Sequence, residues 1–116
     1  MMIEGAGKLL RVFVGETDRY KGVALCDAIV LKARELGLAG ATAWKGMAGF
    51  GAHSRIHTAK VLSLSEDLPI IIEIVDSEEK IRALLPELDT MMEASGSGGL
   101  VTLESAEVIR YPRESA

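Results

Sequence analysis

Gly37, Gly40, Gly46, Gly49 and Gly51 fall in one stretch of the chain, and Gly96, Gly98 and Gly99 in another, out of 12 glycines in all. Glycine admits positive φ and lets a ligand approach the backbone closely, so such loops can offer N–H groups to a phosphate. Neither stretch is a Walker motif or a G-x-G-x-x-G, and a flexible turn explains the same residues. Arg55 and Lys60 belong to the loop that carries His53 and His57, and Arg110 and Arg113 close the chain. Four cations beside two glycine loops could neutralise an anion, although scattered surface charge looks the same in a sequence. His53 and His57 are four apart, a metal-ligand spacing if they lay on a helix. They fall in an expected loop with no third ligand at an obvious spacing. The plainer reading is two solvated histidines; a functional one would have them respond to pH near neutrality.

Other reactive types are poorly placed for catalysis. Glu16 and Asp18 follow the first expected strand, and Asp67 and Asp76 stand at strand ends. A carboxylate-pair hydrolase needs two such groups on one cleft, and nothing in the sequence brings these together. Turn and cap roles account for them. Cys26, the single cysteine, excludes an intrachain disulfide and a Cys-x-x-Cys site, and lies beside an apolar helix face. No Ser-His-Asp arrangement has supporting context. The expectation is a protein that is not an enzyme. Trp44, the only tryptophan, is a candidate for a subunit contact.

The elements that position these residues follow from periodicity. Lys8–Gly15 is rich in β-branched and aromatic residues and reads as a strand; residues 1–7 read as a loose, flexible lead-in. Glu16–Gly22 reads as a loop. Leu25, Ile29, Ala33 and Leu36 recur at helical spacing, predicting a helix over Val23–Leu36 with Gly37 as its C′ residue. Ala41–Met47 is a weaker strand, broken by Gly49-Phe50-Gly51, and residues 52–58 read as an exposed loop. Lys60–Ser65 alternates; after a turn at Glu66-Asp67, Leu68–Val75 reads as its hairpin partner, buried on both faces at Ile70-Ile71-Ile72. Asp76 with Glu79 resembles a capping box opening a second helix, whose buried stripe is Ile81, Leu84, Leu88 and Met91 or Met92. Pro86 inside that helix should kink or split it. A flexible loop over Ala94–Gly99 leads to a final strand, Leu100–Tyr111. The order β-α-β-β-α-β predicts an α+β, ferredoxin-like fold over 8–116 as a single domain: one antiparallel sheet with two helices on one face.

Composition narrows the function classes. With 116 residues, 48% hydrophobic and 26% charged, the chain is an ordinary globular domain, not a disordered one. A net charge of −4 argues against nucleic-acid coating. No apolar run approaches the ~20 residues needed to span a bilayer, so no direct membrane insertion is expected. The first residues carry no basic region ahead of an apolar one, which points away from secretion and towards the cytoplasm.

Several segments carry a resemblance. Gly40-Ala41-Thr42 with Gly49-Phe50-Gly51, Leu68-Pro69 with Ile72-Glu73-Ile74-Val75, and Gly96-Ser97-Gly98-Gly99-Leu100 with Val108-Ile109-Arg110 resemble stretches of the PII (GlnB-like) signalling proteins. More closely, Leu10–Glu16, Tyr20-Lys21-Gly22, Gly51–His57 and Ser65–Pro69 resemble an uncharacterised PII-like family of small prokaryotic proteins. Some of its members are fused to, or encoded beside, fluoride-exporting channels. The resemblance implies a homotrimer with an adenine nucleotide as effector in clefts between subunits, and no required cofactor. It places Thr42 by the base, and Gly49, Phe50, Gly51 and His53 at the root of an effector loop near the phosphates. Gly96, Ser97, Gly98 and Gly99 would cradle phosphate, and Arg110 would supply charge. The loop over residues 49–60, with Ala52, Ser54, Arg55, Ile56 and His57, would contact an unknown protein partner, of which a membrane transporter or fluoride channel is one kind.

Departures from the PII pattern shape the ligand expectation. PII has Lys where this chain has Gly99, a basic residue where it has Ala52, and a second Arg where it has Pro112, with Arg113 one residue further on. Fewer cations favour AMP, ADP or a cyclic nucleotide over ATP. The loop also lacks the modifiable tyrosine of the nitrogen-sensing proteins. Two other classes stay open: a divalent-metal binder of the related trimeric copper-tolerance type using His53 and His57, and a ligand-free accessory subunit of a membrane channel.

Overall fold

The computed structural model describes residues 2–50 and 68–112. Strand β1 (Met2–Gly15) is followed by a small hairpin of β2 (Arg19–Tyr20) and β3 (Val23–Ala24), then helix α1 (Leu25–Glu35). After β4 (Thr42–Lys45) come β5 (Pro69–Asp76), helix α2 (Glu78–Ser95) and β6 (Leu100–Pro112). The main sheet is antiparallel throughout, in the order β4-β5-β1-β6. This is the expected ferredoxin-like α+β arrangement, with both helices on one face. The expected strand at Lys60–Ser65 lies outside the described residues.

Alternation decides which side of each strand is buried. Leu10, Val12 and Val14 of β1 and Ile72 and Ile74 of β5 face the helices. They pack against Leu25, Ile29 and Ala33 of α1 and Ile81, Leu84, Leu88 and Met91 of α2. The two helical stripes are those the 3–4 spacing predicted. Gly37, at φ +80°, closes α1 in a Schellman motif: its N–H bonds Arg34 O and the Leu38 N–H bonds Ala33 O.

Four sequence expectations are corrected. The lead-in over residues 1–7 is strand from Met2 onward, because β6 is long enough to pair with it as far as Met2↔Pro112. The loop at Glu16–Gly22 contains a two-residue hairpin turn, with Lys21 at φ 50° and Gly22 at φ 84°, so α1 begins at Leu25 and not at Val23. Asp76 ends β5 and does not cap α2. The N-cap is Ser77, whose Oγ accepts the Lys80 N–H. Pro86 does not split α2, which runs as one helix through Ser95.

Asp76 instead is fully buried, the one charged residue so placed among the described residues. Its carboxylate accepts the Ala39 N–H at 2.8 Å and the Ser77 N–H at 2.7 Å. It therefore ties the chain leaving α1 to the start of α2, and so fixes where Gly40 enters β4.

Candidate functional site

The face of the sheet away from the helices is open, and the register sorts its side chains into rows. A bulky apolar row comes first: Trp44, Ile71, Phe13 and Leu100 stand opposite one another across all four strands. Trp44 and Leu100, at the two edges, are about half exposed. The next row is polar: Thr42, Glu73, Arg11 and Thr102. Arg11 bridges three strands, with Nε at 2.7 Å from Glu73 Oε2 and Nη1 at 2.7 Å from Glu104 Oε1. The Glu73 hydrogen bond, more than any other contact, raises the Arg11 pKa further above its already high value.

Beyond that row lies a cleft of about 500 Å³. Leu9, Val75 and Val108 form its apolar floor, and Thr42, Glu73 and Arg110 bring polar groups to its walls. Gly40 forms part of the rim, close beside the Tyr111 hydroxyl. The register of β1 and β6 slips between Ile3 and Gly5, whose partners are Tyr111 and Val108, so Ile109 and Arg110 lie in the irregular stretch. Such irregularities re-aim side chains. Arg110 is exposed and has no ion-pair partner among the described residues.

The second glycine stretch closes the C-terminus of α2. Gly96 takes φ +70°, its N–H bonds Glu93 O, and the Ser97 N–H bonds Met92 O. The Ser97 Oγ accepts the Gly99 N–H at 3.2 Å and donates to Asp18 Oδ2 at 2.8 Å. That same Asp18 oxygen accepts the Gly15 N–H at 2.8 Å. Asp18 therefore joins the end of β1 to the glycine loop, a role its place in a polar run after the strand did not reveal. The only local signal is its position three residues after Gly15, where an Asp side chain can bond back to the chain. Gly99 sits so close to β1 that a Cβ would lie 2.0 Å from Phe13 O.

The structure thus divides the sequence candidates. Thr42 and Arg110 share the cleft. Gly96–Gly99 lie at the far end of β6, about 30 Å from Arg110 at the rise of an extended strand. Gly49 packs on Pro69, and Phe50 beside it is exposed, at that same far end but on the opposite edge of the sheet. Lys45 at the end of β4 pairs with Glu16. Gly51, Ala52, His53, Ser54, Arg55, Ile56, His57, Lys60 and Arg113 lie outside the described residues. Among the described residues, no group of three His, Cys, Asp or Glu could hold a metal.

Residues 7–108 match the model of DUF190, a family described as "Uncharacterized ACR". The chain belongs to this family. A UPF0166 protein of Aquifex aeolicus is 38% identical over 102 residues, spanning 88% of this chain and 92% of that protein. A UPF0166 protein of Methanocaldococcus jannaschii is 32% identical over 103 residues, spanning 89% and 92%. Among solved structures the chain is similar to CPII from Thiomonas intermedia K12, a nitrogen regulatory PII-like protein. Its apo form aligns with TM-score 0.63 and 17% identity over 97% of this chain and 100% of that one. A form bound to ADP, AMP and acetate aligns with TM-score 0.65 and 18% identity over 93% and 91%. The fold of this DUF190 protein is therefore PII-like, and its membership of the uncharacterised PII-like family that the sequence resembled is established.

In this DUF190 chain the cleft sets the apolar side chains of Leu9, Val75 and Val108 beside one cation, Arg110, and two carboxylates, Glu73 and Glu107. Cys26 adds nothing to it, since partial burial pushes its thiol pKa up and away from thiolate reactivity. No helix among the described residues is long and apolar enough to cross a membrane.

Proposed function

We propose that this DUF190 protein is a PII-like regulatory protein, not an enzyme, that assembles as a homotrimer and binds an adenine nucleotide between subunits. The observation that carries this reading is the separation of the two features that the sequence offers to an anion. Arg110 and Gly96–Gly99 stand at opposite ends of β6 in one chain, so a single nucleotide reaches both only if a neighbouring copy brings its glycine loop to this chain's cleft. The sheet face supports assembly, because Trp44 and Leu100, each about half exposed, leave large apolar side chains at both edges of it. The similarity to CPII, solved with ADP and AMP, supports the ligand class. Thr42 would face the base, Arg110 the phosphates, and AMP, ADP or a cyclic nucleotide is favoured over ATP.

The nucleotide would act by biasing the loop over residues 49–60, which would report the bound state to a protein partner. A membrane transporter or fluoride channel is the partner type considered, with the protein working in the cytoplasm. Calorimetric titration with AMP, ADP, ATP, cyclic AMP and cyclic di-AMP, beside light scattering for mass, tests the reading. The expected result is a trimer that binds an adenylate, with Arg110→Ala weakening it about tenfold. Mixed trimers of Arg110→Ala with a glycine-loop variant should regain a fraction of intact sites. A monomer, or affinity untouched by Arg110→Ala, overturns it.

A further inference from the structure

Three of the four N–H groups of the glycine loop, read as a phosphate cradle, are already taken by its own chain. The Gly96 N–H is taken by Glu93 O, the Ser97 N–H by Met92 O and Ser95 Oγ, and the Gly99 N–H by Ser97 Oγ. The Ser97 hydroxyl in turn donates its proton to Asp18 Oδ2 at 2.8 Å. The loop therefore presents a carboxylate where a phosphate would seek donors. The Gly15 N–H holds that carboxylate in place. No Lys or Arg among the described residues pairs with Asp18. A phosphate oxygen that replaced Asp18 on the Ser97 hydroxyl would stand within about two hydrogen-bond lengths of a carboxylate with no cation paired to it among the described residues.

We propose that Asp18 is the specificity-determining residue of the glycine loop, disfavouring ligands in proportion to the phosphate charge they place there. The proposal rests on the nucleotide reading given above and deepens it. The Asp18–Ser97 hydrogen bond closes the empty loop, and an incoming phosphate has to displace it or accept from the N–H groups around it. Electrostatic repulsion then grows with each added phosphate, which separates AMP from ADP and ATP at a site that shape alone would leave tolerant.

Asp18→Asn tests this with little change in shape, since the amide oxygen can still accept from both Gly15 N–H and Ser97 Oγ. Wild type and Asp18→Asn are titrated calorimetrically with AMP, ADP and ATP at low and high salt. The variant should gain affinity by about fourfold per unit of ligand charge held beside the loop, the size of one unit charge about 5 Å away in a water-like medium. The gain should rise from AMP to ATP and shrink with salt. Amide resonances of Gly96–Gly99 should shift on binding in both proteins. Equal affinities in the two proteins, an equal gain for all three ligands, or a loss in the variant overturns the proposal and leaves the nucleotide reading standing. No binding by either protein overturns both.

Discussion

Substituting Gly99 by Ala separates packing from ligand contact at the glycine loop. The new Cβ would lie 2.0 Å from Phe13 O and 2.9 Å from Met92 Cε. Met92 can swing its methyl group away, but Phe13 O belongs to the backbone of β1, the central strand that pairs with β5 on one side and β6 on the other. Even the tightest tolerable contact requires the two backbones to part by about 1 Å, at the first β1–β6 pair, Phe13↔Leu100. Overpacking of a well-fitted interior costs about 1–3 kcal/mol. The upper end applies here because no flexible side chain can absorb the whole strain. A loss of about 3 kcal/mol lowers the midpoint of a domain this size by about 10 °C. Gly96→Ala is the control. It meets nothing within 4 Å, and its cost comes only from φ +70°, about 1 kcal/mol and a few degrees. Thermal unfolding followed by circular dichroism ranks wild type above Gly96→Ala and Gly96→Ala above Gly99→Ala. A Gly99→Ala protein that melts with wild type would refute the steric argument. If the ranking holds, lost nucleotide binding in Gly99→Ala reports a displaced strand and not a missing phosphate contact.

Two further outcomes follow from buried and paired carboxylates. Asp76→Ala should cost about 2–4 kcal/mol in urea unfolding, since it strands the partly buried N–H groups of Ala39 and Ser77 beside a fully buried site, and an unaltered midpoint would show those groups satisfied elsewhere. Glu78 has its pKa lowered from 4.5, first by the hydrogen bond from Arg82 and then by the charges of Lys8 and Arg82. A lowered carboxylate contributes stability above pH 4.5 and loses it as pH falls through the folded-state value. Glu78→Gln should therefore flatten the acid limb of the unfolding profile, and identical limbs in the two proteins would remove the pair from the account.

The helices and the order of elements along the chain were readable because each rests on local pattern. Leu25, Ile29 and Ala33 in α1 and Ile81, Leu84 and Leu88 in α2 repeat at the spacing that puts one face on a core, and all six are buried. Gly37 and Gly96 end their helices at positive φ because glycine there carries no steric cost. Residues 2–7 were misread since nothing in Ile3-Glu4-Gly5-Ala6-Gly7 has strand character; their pairing is supplied by β6, about a hundred residues later in the chain. Asp76 was misread for a related reason. Its neighbours look like a helix start, and its buried partner, Ala39, comes from the other half of the chain.

The candidate site shows the same division. Residue type alone singled out the glycine loops and the nearby cations as able to meet an anion, and the resemblance to PII proteins added Thr42 and the nucleotide. Only the tertiary structure decided that Thr42 and Arg110 line one cleft while Gly96–Gly99 lie at the other end of β6. It alone placed Arg11 between Glu73 and Glu104, and Asp18 against Ser97. These are contacts between residues 62 to 93 positions apart, set by strand register. A pattern of near neighbours reports what each element buries, but which elements meet, and at what register, depends on the whole core closing at once.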